Sequence, residues 1–100
     1  MLVVDDEPGM RNFLLKTLQP RAGQVMAAGS AEEAEELLQR HRFDLVILDI
    51  TLPGKSGITL LQEMRVQGNP CEVVLITAFA DLDTAIEALR AGAGDFLLKP

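Results

Sequence analysis

The sequence predicts a single α/β domain, a doubly wound sheet of five parallel strands with helices on both faces. Three observations carry that prediction. Short apolar runs alternate with longer segments of helical period along all 100 residues. The runs are rich in Val, Ile and Leu with little polar alternation, as strands covered on both faces must be. The connections are short and marked by Pro and Gly, which leaves no room for a linker, and right-handed crossovers then put helices on both sides of the sheet.

The elements follow in order. Leu2-Val3-Val4 is the first strand and residues 8–19 the first helix. Val25-Met26-Ala27-Ala28 is the second strand, followed by a helix over 30–41 in which Ser30 and Glu33 have the spacing of a capping box. Leu45-Val46-Ile47-Leu48 is the third strand; after Pro53-Gly54, Ser56 can cap a helix over 57–67. Val73-Val74-Leu75-Ile76 is the fourth strand. The fourth helix, 81–91, can be capped by Asp81, carries Leu82, Ala85, Ile86 and Leu89 as one apolar stripe, and gives way to Gly92, where a left-handed residue is expected. Phe96-Leu97-Leu98 closes the sheet.

Composition narrows the function. Apolar residues make up 48% and charged residues 24%, which is globular rather than disordered composition. Fifteen acidic against nine basic residues give a net charge of -6 without any basic run, so direct nucleic-acid contact is not expected. No apolar stretch approaches the roughly 20 residues of a membrane span, and the N-terminus lacks the pattern of a signal peptide. The chain reads as cytoplasmic, and its lone Cys71 fits a reducing compartment.

In a doubly wound sheet, ligands bind beyond the carboxyl ends of the strands. The first strand runs into Asp5-Asp6-Glu7, the third into Asp49, the fourth into Thr77 and the fifth into Lys99. In the flavodoxin-like strand order 2-1-3-4-5 the first and third strands are neighbours, with tips about 4.8 Å apart. Asp5, Asp6 and Asp49 would then crowd together and need a compensating cation. Oxygen-only ligands suit Mg²⁺, with Mn²⁺ as the alternative, better than Zn²⁺, and the sole His41 at a helix end reads as a surface residue. A cation beside one ammonium and one hydroxyl is also what phosphoryl transfer needs, with Asp49 as the candidate nucleophile. Taken singly, each of these residues is more often a turn former, a cap or a solvated end. Jointly, at the ends of successive strands, they point to a site.

These residues resemble the receiver domain of two-component response regulators. The matching pieces are Leu2-Val3-Val4-Asp5-Asp6-Glu7-Pro8, Asp44 to Asp49 with Leu52 to Gly57, Ile76-Thr77-Ala78, and Ala91-Gly92-Ala93 with Asp95 to Pro100. The resemblance implies that residues 1–100 form a CheY-like phosphoacceptor domain in which a histidine kinase, or a small phosphodonor, phosphorylates Asp49. It implies Mg²⁺ bound by Asp6, Asp49 and the backbone carbonyl of Thr51, with Asp5 acting mainly through a bound water. Thr77 would turn toward the phosphoryl oxygens and Lys99 would pair with them. Phe96 falls at the family's switch aromatic, although an ordinary core role fits it equally. The face of the fourth helix and fifth strand would engage the chain's own output domain or a second copy. Such a domain catalyses only its own phosphorylation and dephosphorylation. The Lys99-Pro100 bond is expected in cis, and Phe79 is placed to shield the acyl phosphate. The stretch from Thr77 to Phe96 looks most like receivers of NtrC-type transcriptional regulators.

Three rival readings fit less well. A phosphatase with an aspartyl nucleophile would need an acid where Thr51 stands. A mononucleotide binder would need a phosphate cradle where Asp5-Asp6-Glu7 would repel one. A degenerate receiver acting only as a docking surface would have lost the acceptor, the acidic pair or the lysine. Resembling domains continue after the Lys-Pro into a fifth helix that is missing from residues 1–100, so the segment is expected to be a truncated part of a longer regulator with apolar sheet surface lying open; the NtrC-type resemblance implies an output domain beyond residue 100. Glu32, Glu33, Glu35 and Glu36 read as a solvated acidic face of the second helix.

Overall fold

Strands and helices alternate along the chain in the computed structural model, which describes residues 1–77 and 82–98, without the side chains of Arg21, Ala22 and Leu82. The order is β1 (Leu2–Val4), α1 (Pro8–Ala22), β2 (Met26–Ala28), α2 (Ala31–Arg40), β3 (Leu45–Asp49), α3 (Gly57–Val66), β4 (Glu72–Thr77), α4 (Leu82–Arg90) and β5 (Asp95–Leu98). All neighbouring strands are parallel, and their order is β2-β1-β3-β4-β5, the flavodoxin-like order expected from the sequence. Phe79, Asp81, Lys99 and the Lys99–Pro100 bond lie outside the described residues.

Alternation along each strand sorts the side chains between two layers. Leu2, Val4, Val46, Leu48, Val73 and Leu75 face α2, α3 and α4, where Ala34, Leu61, Met64 and Ala88 complete the larger core. Val3, Ile47 and Ile76 face the other way, onto Leu14, Leu15 and Leu18 of α1. That second face is only partly covered. Leu97 and Leu98 are 56% and 49% exposed, and with Phe13 and Ile76 they line an apolar groove of about 360 Å³. The open apolar surface expected at this sheet edge is therefore present.

Local chemistry sets most boundaries. Ser56 accepts from the Thr59 backbone N–H at the start of α3, and Ser30 accepts from that of Glu33 at the start of α2. The reciprocal arm of the α2 box differs from expectation: Glu33 accepts from Gly29, one residue before Ser30. Helix α1 runs three residues past its expected end, through Pro20. In the last turn Pro20 forfeits one bond, to the Lys16 carbonyl, and the helix continues until Gly23 leaves it at φ 77°. Gly92 has φ 112°, as the sequence required. One placement is corrected in α4. Ala85 and Ala88 face the sheet and Ile86 is 43% exposed, so the buried stripe is rotated toward the smaller residues, which let the helix approach the sheet closely.

Gly57 joins the fold to the rim of the sheet. Its N–H donates to the Ile50 carbonyl at 3.1 Å, closing the segment between β3 and α3 on itself. An ideal Cβ here would lie 2.3 Å from the Asp49 carbonyl oxygen, a backbone atom that cannot step aside. In a helix, Ala is favoured over Gly by about 1 kcal/mol, but overpacking costs about 1–3 kcal/mol or more. Gly57→Ala should therefore lower the free energy of denaturant unfolding, by about 2 kcal/mol. Stability equal to or above wild type would show that the helix start can retreat from Asp49.

Candidate metal centre

The parallel register decides which residues meet at the carboxyl rim. Val4 is level with Leu48, so the next residues along, Asp5 and Asp49, leave the sheet side by side. Asp49 is level with Ile76, which puts Thr77 one step further out on β4. Phe96 is level with Leu75, one row short of Asp49 and a strand farther away.

Asp5, Asp6 and Asp49 each bring a carboxylate oxygen into one group whose members lie within 4.8 Å of one another. Asp5 and Asp49 are 0% and 2% exposed, whereas Asp6 faces solvent. Backbone amides hold the buried pair in place. The Glu7 N–H donates to Asp5 Oδ1 at 2.9 Å, and the Thr51 N–H donates to Asp49 Oδ1 at 3.0 Å. Both are Asx turns, which the sequences Asp-Asp-Glu and Asp-Ile-Thr permit because Asp bonds readily to the amide two residues on. Thr77 is buried at the end of β4.

The donor set fits a hard divalent cation. Around Mg²⁺, oxygen ligands at about 2.0–2.1 Å stand about 3 Å apart when adjacent and about 4 Å when opposite. The three carboxylates are within small side-chain adjustments of that spacing. No His or Cys belongs to the group, so the softer sites preferred by Zn²⁺ are not formed here. Two buried carboxylates and an exposed third, converging without sulfur or imidazole, favour Mg²⁺ or Mn²⁺.

Of the residues singled out in the sequence, Asp5, Asp6, Asp49 and Thr51 are brought together, and Thr77 ends the adjoining strand. Phe96 is half-buried and packs against the larger core. Lys99 lies outside the described residues. His41 is an exposed helix cap whose ring meets Phe43 at 6.0 Å, a surface residue as expected.

Two basic residues make contacts that the sequence pattern did not signal. Arg11 Nη1 donates to the Asp5 carbonyl at 2.8 Å, bracing the turn that carries the acidic pair. Lys55 Nζ donates to Glu35 of α2 and, at 2.7 Å, to Glu63 of α3. Those carboxylates hold the Lys55 ammonium above the usual lysine range, and Lys55 in turn, with help from Glu35, holds the Glu63 carboxyl below the usual range. Both partners sit on other elements, so no local spacing reveals the contacts. The acidic face of α2 is accordingly not wholly solvated: Glu33 caps a turn and Glu35 is paired.

The comparisons with known proteins agree with this geometry. A family model described as the response regulator receiver domain matches residues 1–100. The response regulator protein PilR of Pseudomonas aeruginosa is 46% identical over 99 residues, covering 99% of this chain and 22% of PilR. The alginate biosynthesis transcriptional regulatory protein AlgB of Pseudomonas putida is 42% identical over 100 residues, covering all of this chain and 22% of AlgB. The chain thus spans about a fifth of the length of these curated relatives. Among solved structures, the receiver domain of NtrX from Brucella abortus superposes with a TM-score of 0.93 at 36% identity, covering 99% of this chain and 84% of that one. The Francisella response regulator 1452 receiver domain gives 0.90 at 29% identity, covering 99% and 82%. With its strand order, its acidic rim and a family match along its whole length, the chain belongs to the response regulator receiver domain family.

Proposed function

We propose that this chain is the phosphoacceptor domain of a two-component regulator and that Asp49 is the acceptor. The observation that carries the reading is the carboxylate group of Asp5, Asp6 and Asp49, formed by neighbouring strand ends with Asp49 fixed by the Thr51 amide. An Asp49 carboxylate oxygen attacks the phosphorus of a sensor kinase's phosphohistidine, or of a small acyl phosphate. The new P–O bond forms as the P–N or P–O bond of the donor breaks; the leaving imidazole takes the electron pair and a proton from solvent, whereas the carboxylate leaving an acyl phosphate takes the electron pair alone. Asp6, Asp49 and the Thr51 backbone carbonyl would hold Mg²⁺, and Asp5 would act through a bound water. Bound Mg²⁺ supplies charge neutralisation for the phosphoryl oxygens. Thr77 donates its hydroxyl to those oxygens and Lys99 pairs with them.

The same reading gives the output. As Thr77 is drawn toward the phosphoryl group, the Phe96 ring moves inward and the face of α4 and β5 changes, which alters its contacts with an output domain or a second copy. The relatives include a transcriptional regulatory protein, which supports an NtrC-type regulator whose output domain lies beyond residue 100. A cytoplasmic setting accords with that role, and no helix among the described residues is long and apolar enough to cross a membrane.

Incubation of the intact protein with acetyl phosphate and Mg²⁺, followed by intact-mass analysis, tests the reading. One labile phosphoryl adduct is expected on wild type and none on Asp49→Ala. An adduct that persists in Asp49→Ala, or sustained turnover of a phosphomonoester, would contradict it. Asp6→Asn removes a carboxylate ligand and should raise the Mg²⁺ concentration for half-maximal phosphorylation by at least about tenfold, measured from initial rates across a Mg²⁺ series. An unchanged midpoint would take Asp6 out of the metal site.

A further inference from the structure

We propose that Lys55 is a positioning residue for the cation site, a strap that fixes the β3–α3 loop and thereby sets the affinity of the acidic cluster for a divalent cation. The inference rests on the functional reading above and concerns a side chain on the far limb of the loop from Asp49.

The loop, residues 50–56, carries the Thr51 carbonyl assigned to the metal, and its anchors fall into two groups. At its base, the Gly57 N–H closes on the Ile50 carbonyl, the Ile50 N–H donates to the Ile76 carbonyl at 3.2 Å, and Leu52 is buried in the core. At its outer limb the backbone turns through Gly54, where φ is 73°, and the anchors are ionic. Lys55 Nζ bridges Glu35 and Glu63, and the Lys55 backbone N–H points at Glu32 Oε1 at 3.4 Å. One residue therefore joins the loop to α2 through both its ends and to α3 through its ammonium. Without that cation, the Glu35 and Glu63 carboxylates would face each other across the gap between α2 and α3 and push the two helices apart. A bound metal depends on the groups that orient its ligands, and disturbing such partners typically costs about 10–100-fold in affinity.

The sign of the effect separates this role from simple electrostatics. Lys55 is a positive charge near a cation site, so by charge alone its removal would strengthen Mg²⁺ binding. Positioning predicts the opposite. The test is isothermal titration calorimetry of the intact protein with MgCl₂ at constant ionic strength, with far-ultraviolet circular dichroism to confirm folding. Lys55→Met should weaken Mg²⁺ binding about tenfold. Lys55→Arg, which can reach both carboxylates, should restore it to within about threefold of wild type. Glu35→Gln with Glu63→Gln leaves Lys55 in place but removes its holds, and should weaken binding as Lys55→Met does. Lys55→Gln, which also removes the positive charge and so by charge alone would strengthen binding, takes the place of Lys55→Met if that variant does not fold, and should weaken binding likewise. Binding by Lys55→Met, or by the double variant, as tight as or tighter than wild type would overturn the proposal. Asp6→Asn keeps the two failures apart: if it binds Mg²⁺ like wild type, the assignment of the metal site itself is wrong, whatever Lys55 does.

Discussion

Asp5 and Asp49 are buried side by side at the ends of adjacent strands, with Asp6 close by, and like charges so placed raise the free energy of the folded chain. Three features of the structure address that repulsion. Amide donors from Glu7 and Thr51 hold one oxygen of each buried carboxylate, Arg11 braces the turn from behind, and the oxygens converge on a volume suited to a small cation. The chemistry follows from the same tension. In the proposed function, a rim that repels phosphate when bare accepts one once a divalent cation is bound.

The rest of the fold holds this arrangement in register. Apolar strand residues fill both faces, so a slip of one position would exchange the layers and separate the two aspartates. Gly57 lets α3 begin directly against the backbone of Asp49. The loop between them is short and closed, and its outer limb is tied by ions rather than by packing. An ionic tether at a half-exposed position is weaker and more readily altered by salt than an apolar anchor. The position proposed to govern metal affinity can thus be tuned without disturbing the core.

Fold class and the acidic strand ends were legible because they depend on local signals, whereas the strand order followed from likeness to a known fold. Runs of Val, Ile and Leu mark buried parallel strands, and carboxylates directly after two of those runs are brought together by topology alone. Features set by long-range contacts were not legible. Lys55 meets Glu35 across twenty residues, and nothing in either local pattern announces it. Helix α4 shows the same limit: Ile86 belongs to the apolar stripe by periodicity, yet close approach to the sheet selects Ala85 and Ala88 for the buried side. Helix α1 outruns its expected end at residue 19, because Pro20 near a C-terminus removes a single bond and the helix runs past it.

The central claim is that carboxylate repulsion at the rim is relieved by a bound divalent cation. Denaturant unfolding of wild type and Asp49→Asn, with and without Mg²⁺ at matched ionic strength, measures it directly. Without Mg²⁺, Asp49→Asn should be the more stable protein, and Mg²⁺ should stabilise wild type progressively with concentration while leaving the variant nearly unchanged. Wild type that is already the more stable without Mg²⁺, and that gains nothing from it, would contradict the account.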